Sequence, residues 1–281
     1  MGLQTIKKSP LLRPMLPFLR ESRRLLWTVQ NSPALWLEKR RSRRWSMSYN
    51  AERAEAIESA LREVKNNGGH FEGWALSAAA LRAFFQQLCE PVPGGPSREP
   101  CLVEFGSGQS TYFWGALMAK GLPLRVHTYE HHPYWAERAR LKTREQVKVH
   151  HQPLLQVSDT TKQEMFDNPE QAYALFTQQG TLLPESEWEN TRTPNTFYRT
   201  DFEKYFTKQS IHGVILDGPN GSGRSLVFSW ILPYLAPNAL ILIDDYDHYP
   251  FLSDLQKISD YTMIHVSHKL GKRWCLLRLT S

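Results

Sequence analysis

Cys101-Leu-Val-Glu-Phe-Gly-Ser-Gly-Gln-Ser-Thr111 decides the fold. Leu102, Val103 and Phe105 have strand character, Gly106-Ser107-Gly108 turns the chain sharply, and Tyr112 to Lys120 continues as a helix-compatible segment. A strand passing through Gly-x-Gly into a helix lets the backbone approach a nucleotide-like ligand, because no Cβ stands in the way. Alone, such a pair is more often a tight turn. Its weight rises because a second strand, Arg125-Val-His-Thr-Tyr-Glu130, ends on a carboxylate 22 residues after Gly108, an offset suited to ribose hydroxyls. Position 111, where a third glycine would complete Gly-x-Gly-x-x-Gly, is Thr111. A nucleoside without phosphates fits this loop better than a dinucleotide.

Working outward, Trp135 to Leu141 reads as a helix and Val147 to His151 as a third strand. Gly213-Val-Ile-Leu-Asp217 reads as the fourth strand, Leu226 to Leu235 as a helix, and Ala239-Leu-Ile-Leu-Ile-Asp244 as the fifth strand. Such near-continuous apolar runs suit central parallel strands covered on both faces. Thr262 to Val266 and Arg273 to Leu279, with Gly271 between, read as a terminal hairpin. Ahead of the first strand, Ile57, Leu61 and Val64, then Leu81, Phe84, Phe85 and Leu88, repeat at helical spacing, giving a helical lead-in over 51–90. Residues 155–208 are polar and irregular but carry many aromatics. A span of that length between strands implies a lid or binding element, read here as a partly helical, lid-like insertion shaping acceptor specificity.

With Glu104-Phe-Gly106-Ser-Gly108 as an acid-x-Gly-x-Gly motif, Glu130 ending the second strand and an antiparallel pair at the end, the chain resembles the class I S-adenosylmethionine-dependent methyltransferases. That resemblance implies an α/β, Rossmann-like, mostly parallel sheet over 51–281, with S-adenosylmethionine as cofactor. It places Glu104, Gly106 and Gly108 at the methionine end with Ser107 and Ser110 beside them, Glu130 on the ribose and His131 flanking the adenine. Trp74 and Ser77 of the lead-in are expected to line the site, a core role for the Trp being the plain alternative.

Ligands of open parallel sheets bind at the carboxyl ends of the strands, where Asp217, Asp244 and Asp245 fall. Converging carboxylates suit Mg²⁺ or another hard divalent cation, which lowers the pKa of a bound hydroxyl. This pattern resembles the metal-dependent O-methyltransferases, catechol-type and sugar-directed; Asp244-Asp-Tyr246 is most similar to the sugar group, and Asp217-Gly-Pro resembles plant polysaccharide O-methyltransferases. The resemblance implies methyl transfer to a hydroxyl of a sugar, glycan or other small acceptor. Two plainer readings stand beside the cation: Asp217 as a metal-free base, or acids that only cap turns. His248 is a second candidate base, or a surface-loop histidine.

Rival motifs exist. Gly218-Pro-Asn-Gly-Ser-Gly-Arg-Ser225 fits a phosphate-binding Gly-x4-Gly-Lys-Ser loop with Arg for Lys. Arg is a planar fork and not a compact ammonium, and little chain follows for a nucleotidase sheet. Nucleic acid is a weaker acceptor class, because Asp217-Gly-Pro-Asn220 lacks the aromatic of the (Asp/Asn)-Pro-Pro-(Tyr/Phe) run usual in amino methylases. An RNA substrate stays open through the basic N-terminus. Residues 1–45 hold eleven Lys/Arg against two acids, more than the whole +6 of the chain, so the rest is slightly acidic. Trp27, Trp36 and several leucines interleave with those charges, and Pro14, Pro17 and Pro33 break the segment. Residues 1–50 thus read as a basic, amphipathic extension suited to an anionic membrane surface, or as an arm packed on the main domain. Three scattered cysteines without a CxxC pair indicate a reducing compartment. No secretory signal or bilayer-length apolar run is read, so the expected location is cytoplasmic, with peripheral membrane contact through residues 1–45. Oligomeric state is not legible.

Overall fold

The computed structural model describes residues 51–71, 75–89, 99–269 and 272–280, with backbone alone for 51, 52, 268, 269 and 272. The basic extension and Trp74 lie outside the described residues. Two helices lead in, α1 (Ala51–Asn66) and α2 (Ala78–Leu88). Then come β1 (Cys101–Phe105), α3 (Gln109–Ala119), β2 (Arg125–Glu130), α4 (Pro133–Thr143) and β3 (Lys148–His151). After an insertion, the core resumes with β7 (Ile211–Leu216), β8 (Leu235–Asp244), β9 (Tyr261–Lys269) and β10 (Lys272–Leu279). The seven-stranded sheet has the order β3-β2-β1-β7-β8-β10-β9. Only β10 runs against its neighbours β8 and β9. That is the mostly parallel sheet with a terminal antiparallel pair expected from the sequence.

The apolar strands are explained by what covers each face. Along β8, Ile241 and Ile243 join one buried cluster with Phe105, Tyr129 and Phe228, while Leu240 and Leu242 join another with Phe84, Phe85 and Trp114. Successive side chains of a strand point to opposite faces, and both faces here are dry. Burial of each such side chain contributes about 1.5–3 kcal/mol. α2 supplies Leu81, Phe84 and Phe85 to the second cluster, all fully buried, so its i, i+3, i+4 spacing is a core-facing stripe. Ser77 Oγ caps it by accepting from Ala80 N at 3.1 Å.

The insertion is more ordered than its composition indicates. β4 (Leu154–Gln156), β5 (Thr181–Leu182) and β6 (Thr196–Tyr198) form an antiparallel sheet of order β5-β4-β6. With them come α5 (Asp159–Asp167), α6 (Ala172–Gln179) and α7 (Phe202–Tyr205). Phe166, Phe176, Phe197, Tyr198, Phe202 and Phe206 are all buried in the first cluster. The expected irregularity is therefore corrected: polar residues face outward and the scattered aromatics tie the segment to the main sheet. Two boundaries also differ from expectation. The helix expected over 226–235 is a short α8 (Phe228–Ile231) between 3-10 turns Gly223–Val227 and Leu232–Tyr234; Pro233, with no N–H to donate, stops it. β8 starts early, at Leu235, across an irregular register where Asn238 takes φ 62°.

Candidate cofactor and acceptor site

The chain runs outward from β1 through β2 to β3, then returns to β7 on the other side of β1. The carboxyl ends of β1 and β7 thus flank a topological switch point, where open α/β sheets bind ligands. Gly106 sits there with φ +94°, a left-handed conformation that favours glycine. A Cβ on it would lie 3.0 Å from Gly218 N and 3.2 Å from the Asp217 carbonyl carbon. The β1 and β7 loops therefore meet backbone to backbone. A Cβ on Gly108, at the start of α3, would meet nothing within 4 Å, so the space above that turn is open.

The two glutamates divide their labour. Glu104 is fully buried and accepts from Thr111 Oγ1 at 2.6 Å, Thr128 Oγ1 at 2.8 Å and Trp114 Nε1 at 3.2 Å. Burial pushes its carboxyl up, against the opposing hydrogen bonds of Thr111, Ser110, Thr128 and Trp114. It binds β1 to β2 and α3 from within, and Glu104 with the buried Ser110 braces the turn from behind. Glu130 lies in front. Its Oε2 accepts from Ser107 N at 2.9 Å and Ser107 Oγ at 2.8 Å; its Oε1 accepts from His131 N and His132 N, both at 2.8 Å. Burial raises its pKa, but bonds from His131, His132 and Ser107 outweigh that and hold the carboxyl below the usual range. His131 Nδ1 lies 3.1 Å from Glu130 Oε1, and its ring stands edge-on to Trp188 at 5.3 Å. Ser77 is committed to capping α2.

On the β7 side Asp217 is half-buried, and its N donates to Phe105 O at 3.0 Å, which pins it beside Gly106. The β8 acids diverge. Asp244 is buried, with its carbonyl accepting from Arg224 Nη1 at 3.1 Å. Asp245 takes φ 50° and turns outward, 3.9 Å from Arg273 Nη2 and 3.5 Å from His248 Nδ1. Arg273, buried at the start of β10, donates to Asp247 Oδ1 at 2.6 Å and to His248 Nε2. Among the described residues no group of three or more His, Cys, Asp or Glu could hold a metal ion. The expected triad of Asp217, Asp244 and Asp245 is thus not assembled, and the donor set does not fit a divalent cation. The Arg273 guanidinium, already cationic, lies beside the partly exposed Asp245 and Asp247. His248, the second candidate base, accepts from Arg273 through Nε2 and faces Asp245 with Nδ1.

The family model described as "Methyltransferase domain" matches residues 103–246, just over half of the 281. The chain belongs to this methyltransferase family. With the strand order and the acid-ended β2, it is a class I, S-adenosylmethionine-dependent enzyme. No curated protein sequence matches it. Among solved structures it is similar to an O-methyltransferase from Bacillus cereus crystallised with SAH, at 13% identity and TM-score 0.39, covering 81% of this chain and 91% of that one. It is also similar to TrmN from Thermus thermophilus, at 10% identity and TM-score 0.36, covering 72% and 47%. A precorrin-6y C5,15-methyltransferase from Geobacter metallireducens gives 9% and 0.36, covering 74% and 91%. Scores this far below 0.5 leave the family match and the strand order to carry the identification.

The methyltransferase's own residues fit that cofactor. The open space at Gly108 admits a backbone-hugging ligand, and the buried, ionised Glu130 carboxylate ends β2 beside that turn, bonded to Ser107. They do not fit a phosphate loop at 218–225. A Cβ on Gly221 or Gly223 would run into the backbone of Thr193 or Thr196, so these glycines serve close packing of the insertion. Arg224 is buried and donates to Pro219 O at 2.9 Å as well as to Asp244 O; the nucleotide-hydrolase reading is corrected. Sequence reasoning missed Arg273, Trp188 and Tyr198. Hairpin register held a signal for the first, since a strand antiparallel to β8 sets its start beside the β8 acids. Among the described residues no helix is long and apolar enough to cross a membrane.

Proposed function

We propose that this methyltransferase transfers a methyl group to a hydroxyl of a small acceptor, a sugar or similar polyol, with Asp217 as the base. The observation that carries this reading is Asp217 itself: a half-buried carboxylate fixed at the β1–β7 switch point, one backbone contact from the glycine turn. When bound, the cofactor supplies an electrophilic methyl group. Asp217 orients the acceptor hydroxyl by accepting its hydrogen bond and takes the proton as the oxygen becomes methylated, a role worth about 10²–10⁴ in rate. Glu130 holds the nucleoside, and Glu104 keeps the turn rigid beneath it. No step is assigned to a cation: Arg273 lies beside Asp245 and pairs with Asp247. The insertion packs over this end of the sheet and favours a small acceptor over a polymer. For residues 1–45, charge and Trp/Leu content support an anionic membrane surface as partner, with RNA second.

The test is Asp217→Asn assayed with a panel of sugar and phenolic acceptors. Expected is a fall in kcat of at least 100-fold with S-adenosylhomocysteine affinity near normal, and wild-type activity unchanged by EDTA. Unchanged kcat in the variant would remove Asp217 as base; activity lost in EDTA and restored by Mg²⁺ would return the cation.

A further inference from the structure

Tyr198, the last residue of β6, is fully buried, and its hydroxyl has no hydrogen-bond partner among the described residues. Such an orphan is costly, and each one needs an explanation. Its position supplies one. The ring packs on Phe105 at 5.9 Å and lies 5.8 Å from His131. Its Oη is 2.6 Å from where a Cβ of Gly218 would stand, so it points at the junction of the β1 and β7 turns. Burial raises its pKa well above the ordinary value, an effect that the nearby carboxylate of Glu130 reinforces. The hydroxyl is therefore protonated and can donate. A second orphan lies beside it. Trp188 Nε1 is buried without a partner among the described residues, and the indole meets both His131, at 5.3 Å, and His132, at 5.6 Å. Asn220 Nδ2 donates to Trp188 O at 3.3 Å, tying this side of the insertion to the β7 loop.

Two unmet donors from the insertion thus border the same end of the site as Glu130 and His131. Resting on the methyltransferase reading above, we propose that Tyr198 and Trp188 are cofactor-binding residues, donating Oη–H and Nε1–H to acceptor atoms of the nucleoside. The insertion then acts on the cofactor as well as on the acceptor. Nothing in the strand-turn-helix motif specifies it, because both residues lie outside that motif, between β3 and β7.

The test compares wild type, Tyr198→Phe and Trp188→Phe by calorimetry with S-adenosylhomocysteine and with adenosine, alongside thermal unfolding without ligand. Expected is a 5- to 20-fold weakening for both ligands in each variant, with an unliganded Tm at or above wild type, since a partnerless group has been removed. Affinity equal to wild type, or a lowered unliganded Tm with affinity intact, would overturn the proposal and make the residues structural. If Tyr198→Phe does not fold, the half-buried Trp188→Phe decides alone. A wild type that binds neither ligand would sink the methyltransferase reading itself, a different outcome from variants that bind as wild type does.

Discussion

Replacing Glu130 by Gln keeps the shape of the side chain and removes its charge. The native carboxylate accepts four hydrogen bonds, two from Ser107 and two from the His131 and His132 amides. Gln offers one oxygen, and its NH₂ would face the other pair of donors. Losing two bonds to a buried charge, at about 1.5–3 kcal/mol each, costs about 3 kcal/mol or more. At about 2–4 °C per kcal/mol for a domain of this size, Tm at neutral pH should fall by about 6–12 °C. The pH dependence gives a second handle. Because the folded carboxyl titrates below its unfolded value of about 4.3, its stabilisation is complete above that pH and is lost as pH falls through the folded value. Thermal unfolding of both proteins from pH 7 to pH 3 should show the Tm gap constant down to about pH 5 and closing below it. No gap at pH 7, or one that widens on acidification, would refute this account of Glu130.

His127 and His150 stack with Nδ1 and Nε2 2.9 Å apart, and burial first, then neighbouring positive charge, depresses them to about 3 and about 4. The unfolded chain, titrating near 6.5, takes up protons the fold does not, so urea midpoints should fall from about pH 6.5 towards pH 4, and His127→Gln should flatten that slope. Arg273→Met should cost about 1 kcal/mol, because Asp245 and Asp247 keep access to water when their partner is removed. It should also make Tm rise with added Mg²⁺, where wild type does not respond; equal responses would mean the guanidinium does not occupy that role. Deleting residues 1–45 should abolish low-salt co-sedimentation with anionic vesicles while leaving cofactor binding intact; sedimentation at the wild-type level would assign those residues a different role.

The turn and both flanking strands were legible because they are local. Apolar runs bounded by Gly106, Glu130 and Asp217 specify strands ending at one edge, and β2 begins and ends where its sequence says, Arg125–Glu130. The direction of each carboxylate was not local. Glu104 is the last residue but one of β1 and Glu130 the last of β2, yet one faces the core and the other the ligand edge, a difference set by Thr111, Thr128 and Trp114 across the β1–α3–β2 contact. Adjacent acids such as Asp244 and Asp245 read as a pair, but Asp244 ends β8 buried while Asp245 leaves the strand with φ 50°. Arg273, 28 residues later, was invisible until β10 paired with β8. The insertion hid its fold for a related reason. Its strands are two or three residues long, too short for period-2 alternation to register.

The central claim is that Gly106-Ser107-Gly108 cradles S-adenosylmethionine. Gly108→Val tests it most directly: the backbone there is extended, φ 170°, and a Cβ meets nothing within 4 Å, so the substitution should fold while filling the cradle. Calorimetry should show saturable one-to-one binding of S-adenosylhomocysteine to wild type, no heat with ATP, and at least a 10-fold loss, about 1.4 kcal/mol, in the folded variant. Binding of ATP in place of S-adenosylhomocysteine, or undiminished affinity in a variant whose Tm matches wild type, would contradict the account.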